Sequence, residues 1–143
     1  MFNKILLVVL LSFLSLNASE IVWAKDFKQG IKQASEELKP VMFVFSRHTC
    51  KYCVLLDETT LKDKRVVKAL NRDYISIISY SDENDYTPRE LWRPGTPTIW
   101  FLYPDGTPMF QPIPGAIDAE NFVSALAIVK EEFEKAKKTN AKK

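Results

Sequence analysis

An unbroken apolar run, VMFVF at 41–45, stands just ahead of the chain's only two cysteines, Cys50 and Cys53. Such a run, partly β-branched and without alternating polar positions, fits a strand buried on both faces of a sheet. A strand of that kind needs helices above and below it, which points to a layered α/β fold. The polar stretch 46–49 reads as a loop. Val54, Leu55 and Leu56 among polar neighbours then give 50–61 a helical pattern. Cys50 therefore sits where a strand hands over to a helix.

The remaining chain supplies the other layers. Asp26 is a helix N-cap, and Phe27, Ile31, Ala34 and Leu38 follow on one apolar face until Lys39-Pro40 ends it. Asp63 caps a further helix with Val66, Val67 and Leu70 turned inward. YISIISY at 74–80 alternates, which predicts a strand with one buried face. Thr87-Pro88 reads as an N-cap with proline at the first helical position, so a short helix is predicted through Trp92, broken by Pro94-Gly95. TIWFLY at 98–103 is a strand, Pro104-Asp105-Gly106-Thr107 a turn, and 108–113 the returning strand, assigned by its prolines to a sheet edge. Asp118 caps a last helix facing inward through Phe122, Leu126, Val129 and Phe133. The predicted order is α-β-α-α-β-α-β-β-α. Phe43, Phe45, Trp92 and Trp100 are assigned to the core or to the wall of a groove.

The 143 residues suit one domain. Twenty basic residues against 18 acidic ones leave a net charge of +2, with no basic stripe of the kind that binds nucleic acid. The basic excess gathers in a tail containing Lys135, Lys137, Lys138, Lys142 and Lys143, which reads as a solvated end. At the other end Lys4 precedes the apolar run ILLVVLLSFLSL at 5–16 and a cleavage pattern at Leu16-Asn17-Ala18. The run falls short of the roughly 20 residues that span a bilayer. The expectation is a signal peptide at 1–18 and a single domain at 19–143 with a Lys-rich C-terminal tail. Cleavage after Ala24 is a second possibility. Export would place both cysteines where disulfides form and persist, in the periplasm.

Three readings of Cys50-Lys51-Tyr52-Cys53 compete. As a structural staple the pair closes nearly the smallest useful loop, so it would restrict the unfolded chain little. As a structural metal site it lacks ligands, because the only histidine is His48 and there is no second cysteine pair. As a redox pair it is well placed. A helix N-terminus favours the thiolate of Cys50, the more exposed attacking thiol, and Cys53 lies within one turn as the more buried resolving thiol. No phosphate loop, Ser-His-Asp set or flavin fingerprint is present, so no cofactor is expected.

These features resemble the thioredoxin superfamily. The resemblance rests on 41–45, on Cys50-Lys51-Tyr52-Cys53 and on Gly95-Thr96-Pro97-Thr98-Ile99 leading into a strand and the turn Pro104-Asp105-Gly106. It extends over essentially all of the chain beyond the signal. It implies a thioredoxin fold, with a central mixed β-sheet flanked by helices on both faces. It also implies that Thr96-Pro97 is a cis-proline element facing the cysteines, offering backbone groups to an incoming substrate chain. Tyr52 is expected at the substrate surface. His48 and Lys51 are candidates for tuning the thiol. Thioredoxin has Trp before the first cysteine and Gly-Pro between the two; here Thr49 and Lys51-Tyr52 stand there. Its buried carboxylate six positions before the first cysteine is replaced by Val44. The Cys-x-Tyr-Cys pattern with Thr before the proline is similar to exported Dsb-type isomerases and reductases. The dimerisation domain of such isomerases is not seen, so a monomer is expected. The resulting expectation is a thiol–disulfide oxidoreductase that reduces disulfides of exported, cysteine-containing proteins and is recharged by a membrane-bound thiol electron donor. The alternatives are an oxidase or isomerase using the same residues, or a redox-idle chaperone or binding module.

Overall fold

The computed structural model describes residues 19–141. The signal peptide expected at 1–18 lies outside them, as do Lys142 and Lys143. The elements are α1 (Phe27–Glu37), β1 (Val41–Ser46), α2 (Lys51–Glu58), a 3-10 turn (Thr60–Lys62), α3 (Lys64–Asp73), β2 (Ile75–Tyr80), β3 (Thr98–Leu102), β4 (Ile113–Pro114) and α4 (Ala119–Asn140). The sheet order is β2-β1-β3-β4. β2 runs parallel to β1, while β3 is antiparallel to β1 and β4 to β3.

Three helices start where an aspartate can satisfy the free N–H groups of the first turn. Asp26 accepts from Gln29 N, Asp63 from Arg65 N and Asp118 from Asn121 N. α1 ends at Leu38, whose backbone is left-handed (φ 52°) and whose N–H returns to Ala34 O, just before Pro40.

Strand alternation divides the core in two. Met42 and Val44 of β1, with Ile99 and Phe101 of β3, face one side, where α2, α3 and α4 bring Leu56, Val66, Leu70, Phe122 and Leu126. Val41, Phe43 and Phe45, with Trp100 and Leu102, face the other, where α1 brings Ala34, Phe27 and Ile31. Every residue of β1 is buried, as its continuous apolar run predicts. The four inward positions predicted for α4 are all buried.

Four expectations are corrected. The segment 87–92 is not a helix. It forms turns in which Leu91 N and Trp92 N both reach Pro88 O. So short a stretch, stopped by Pro94, gains too few hydrogen bonds to offset helix nucleation. The returning strand is not 108–113 but the two residues of β4, preceded by an isolated bridge between Leu102 and Pro108. Pro108, Pro112 and Pro114 have no N–H to donate, so a ladder cannot extend along them. β2 is not one-faced, because Ile75, Ser76 and Ile77 are buried in succession. Its outer edge is covered by the segment at 21–24, where Trp23 bridges Ser76 and Ala24 N donates to Ser76 O at 2.8 Å. Finally, Trp92 is 53% exposed and belongs to the surface, not the core.

Candidate functional site

The C-terminal end of β1 delivers the chain to Cys50, which is the N-cap residue of α2 in extended conformation (φ −87°, ψ 123°). One turn of helix carries Cys53 back beneath it. Cys50 is half-buried, and Cys53 is only 4% exposed. Both are free thiols. Cys50 Sγ donates to the backbone oxygen of Thr96 at 3.3 Å. The Thr96–Pro97 peptide bond is cis. Its loop is anchored on either side: Thr98 Oγ1 donates to Gly95 O at 2.8 Å, and Gly115 N donates to Pro97 O at 2.8 Å.

The two thiols experience opposite electrostatics. Burial pushes the Cys50 thiol up, but hydrogen bonds from the side chains of Cys53 and Thr96 and from the N–H groups of Cys53 and Tyr52 outweigh it and bring it to about 7. Those N–H groups are the unpaired donors of the first helical turn. Burial raises the Cys53 thiol, and the hydrogen bond with Cys50 raises it further, against lowering contacts from Ser46, Thr96 and the Arg47 N–H. The pair thus consists of one thiol poised to ionise near neutrality and one held protonated behind it.

The other residues singled out from the sequence take up different surroundings. Tyr52 is 56% exposed beside Cys50. Lys51 Nζ lies 6.0 Å from the Tyr52 ring centroid. His48 turns to the acidic loop after β2. Its backbone N–H donates to Asp82 Oδ2 at 2.9 Å, Nδ1 lies 3.3 Å from Asp82 Oδ1, and Nε2 lies 3.6 Å from Glu83 Oε1. Its ring stacks on Tyr80 at 3.8 Å between centroids. The Cys50 thiol is governed by burial and by Cys53, Thr96 and Tyr52.

Beside the cis-proline loop, a groove of about 230 Å³ is lined by Arg93, Gly95, Thr96, Pro97 and Pro114. The Arg93 guanidinium lies over the Trp100 ring at 4.6 Å. Behind Cys53 a second cavity of about 190 Å³ is lined by Val44, Ser46, Leu56 and Ile78 together with Asp57 and Tyr80. From the sequence Ser46 reads as the first residue of a loop; it is the buried last residue of β1. The signal was available in its parity, because residues two apart on a strand share a face, and Ser46 follows Val44. Among the described residues no group of three or more His, Cys, Asp or Glu side chains is arranged to hold a metal ion.

The model of the thioredoxin-like domain family matches residues 27–130. Over 99 residues the chain is 27% identical to the thiol:disulfide interchange protein DsbD of Campylobacter jejuni, a match covering 64% of this chain and only 18% of that protein. The structure is similar to a thioredoxin from Thermus thermophilus, with a TM-score of 0.64 at 23% identity, covering 78% of this chain and 87% of that one. It is also similar to the C-terminal domain of Neisseria meningitidis DsbD in the oxidised form, with a TM-score of 0.52 at 22% identity, covering 66% and 84%. These likenesses agree in fold with the mixed four-stranded sheet and its helical layers.

Proposed function

The chain belongs to the thioredoxin-like domain family, and from that premise we propose that it is a thiol–disulfide oxidoreductase that reduces disulfides through Cys50 and Cys53. The observation that carries this reading is the asymmetry of the pair. A thiol at about 7 stands at a helix N-terminus against the Thr96 carbonyl, and a buried, protonated thiol lies one turn behind it. The thiolate is the nucleophile in disulfide exchange, and only Cys50 supplies it near neutral pH.

The steps balance without a cofactor. The Cys50 thiolate attacks one sulfur of a substrate disulfide. A Cys50–substrate bond forms, the substrate S–S bond breaks, and the departing sulfur takes a proton from water. Cys53 then loses its proton and attacks Cys50. The second substrate sulfur leaves as a thiol, and the Cys50–Cys53 disulfide carries away the two electron equivalents of oxidation. An extended substrate segment pairs with the backbone of the loop at 95–96, and Tyr52 and Trp92 offer it exposed aromatic surface.

The thiol supports the reducing direction. A value of about 7 matches thioredoxin, whereas the strongly oxidising DsbA holds its thiol near 3.5. A reductase needs its own thiols restored. Likeness to part of a protein named for thiol:disulfide interchange supports exchange with another dithiol protein, for which we infer a membrane-bound thiol donor, and the apolar run at 5–16 supports work in the periplasm on exported proteins. The packing of Ile21, Trp23 and Ala24 against β2 and α1 favours cleavage after Ala18, which retains this segment. Turbidity of insulin under a chemical reductant tests the reading. The parent protein should accelerate precipitation and Cys50→Ser should not; equal activity of the two proteins overturns it.

A further inference from the structure

The proposed exchange leaves one requirement unassigned. Cys53 is 4% exposed and must become a thiolate in order to resolve the mixed disulfide, yet the buried carboxylate that the thioredoxin resemblance implies six positions before Cys50 is Val44. A valine can neither accept a proton nor stabilise a charge. β1 nevertheless contains one polar side chain, Ser46, and it lies on the same face as Val44, toward α2.

We propose that the Ser46 hydroxyl is a catalytic hydrogen-bond donor that stabilises the Cys53 sulfur as it turns thiolate, in the place left empty at Val44. Ser46 is 5% exposed, and it lines the same 190 Å³ cavity as Cys53. The Ser46 side chain and the Arg47 N–H both lower the Cys53 thiol, against the burial that raises it. The backbone around it is held firmly. Ser46 O accepts from Ser81 N at 3.0 Å and from Ser81 Oγ at 3.3 Å, and Ser46 is in register with Tyr80 of β2. A donor fixed in a buried site stabilises a developing anion without having to reorganise.

The inference rests on the proposed exchange and adds one proton movement to it. As Cys53 attacks Cys50, the Cys53 proton leaves to water in the adjoining cavity, which is far larger than one water requires. Ser46 keeps its own proton and directs it at the sulfur. The electron pair on Cys53 forms the bond to Cys50, and the pair of the broken bond leaves with the substrate sulfur.

Two measurements test it, and they fail separately from the exchange reading. The first uses Cys50→Ser chains, in which the only thiol is Cys53, and follows its ionisation by the ultraviolet absorbance of the thiolate. Adding Ser46→Ala should raise the midpoint by about one pH unit, a tenfold loss of thiolate. Ser46→Val should do the same and Ser46→Thr should restore the parent midpoint, although Thr and Val have nearly the same shape. If the midpoint is the same with Thr and with Val, the proposal is overturned, whatever the thermal stability of either. The second keeps both cysteines and follows a single turnover with a disulfide peptide. Ser46→Val should accumulate the mixed disulfide and slow release of the second peptide thiol about tenfold relative to Ser46→Thr. Equal release rates overturn the proposal. Failure of the parent protein to form any mixed disulfide defeats the exchange reading, and the titration still decides the role of Ser46.

Discussion

Consider the alkylation of Cys50 by iodoacetamide as a function of pH. With its thiol brought from 9.0 to about 7, about half of Cys50 is thiolate at pH 7, against about one per cent for the unshifted group. That is roughly a fiftyfold gain in reactive species. The gain is partly cancelled, because nucleophilicity falls with basicity; at a Brønsted slope of about 0.4–0.5, two pH units cost roughly eightfold per thiolate. The net acceleration at pH 7 is then only about sixfold, whereas the midpoint of the profile moves by the full shift. The midpoint is therefore the sharper readout. Rates should rise tenfold per unit below about pH 7 and flatten above it, with the site of modification confirmed by peptide mass. Thr96→Val removes one of the side chains that lower the thiol but keeps the N–H groups of Tyr52 and Cys53. It should lift the midpoint by about one unit, while slowing the reaction at pH 7 only about twofold. A midpoint at or above about 8.5 in the parent protein would refute the argument that the start of α2 and the cis-proline loop hold Cys50 ionised.

Two further outcomes follow from the packing. His48 is tied to Asp82 and stacked on Tyr80, so His48→Ala should leave the Cys50 midpoint within about half a unit and cost less than about 1 kcal/mol in urea denaturation; a rise of a full unit would return His48 to a thiol-tuning role. Gly30→Ala should destabilise the fold by about 1–3 kcal/mol despite the better helix propensity of alanine, because the new Cβ would collide with Cδ1 and Cγ1 of the fully buried Ile77. A raised denaturation midpoint would mean that Ile77 turns aside without strain.

The parts of the fold that could be read from the sequence are those in which pattern and packing agree. The run 41–45 has no polar alternate because β1 lies in the middle of the sheet between two cores, and Phe122, Leu126, Val129 and Phe133 repeat helically because α4 covers one face. The misreadings occur where tertiary context overrides a local signal. Ser76 and Ser79 look like water-facing positions of β2, although they lie on opposite faces of the strand; the segment at 21–24 covers Ser76 and the backbone of Tyr86 accepts the Ser79 hydroxyl at 2.9 Å. Trp92 looks like core by residue type, but its turn carries it outward while its neighbour Leu91 is fully buried and the Leu91 carbonyl is taken by Trp100 Nε1 at 2.9 Å. Within the site, the cysteines and Thr96-Pro97 stand out as motifs. Ser46 does not, since a serine after an apolar run is equally consistent with the end of a strand or the start of a loop.

The covering of β2 at 21–24 and the proline-rich β4 together have a consequence for self-association. A strand at a sheet margin exposes a row of unpaired amides and carbonyls, a template on which other chains can add and aggregate. Here one margin is already bridged by Trp23 and Ala24, and the other is a two-residue strand in which Pro114 cannot donate, nor can Pro108 and Pro112 before it. On the proposed mechanism a substrate must approach as an extended chain, and a sheet with long bare margins would trap such chains anywhere along its length. Blunting both margins directs strand addition to the short loop in front of Cys50, where a captured chain can be cut loose by its own chemistry.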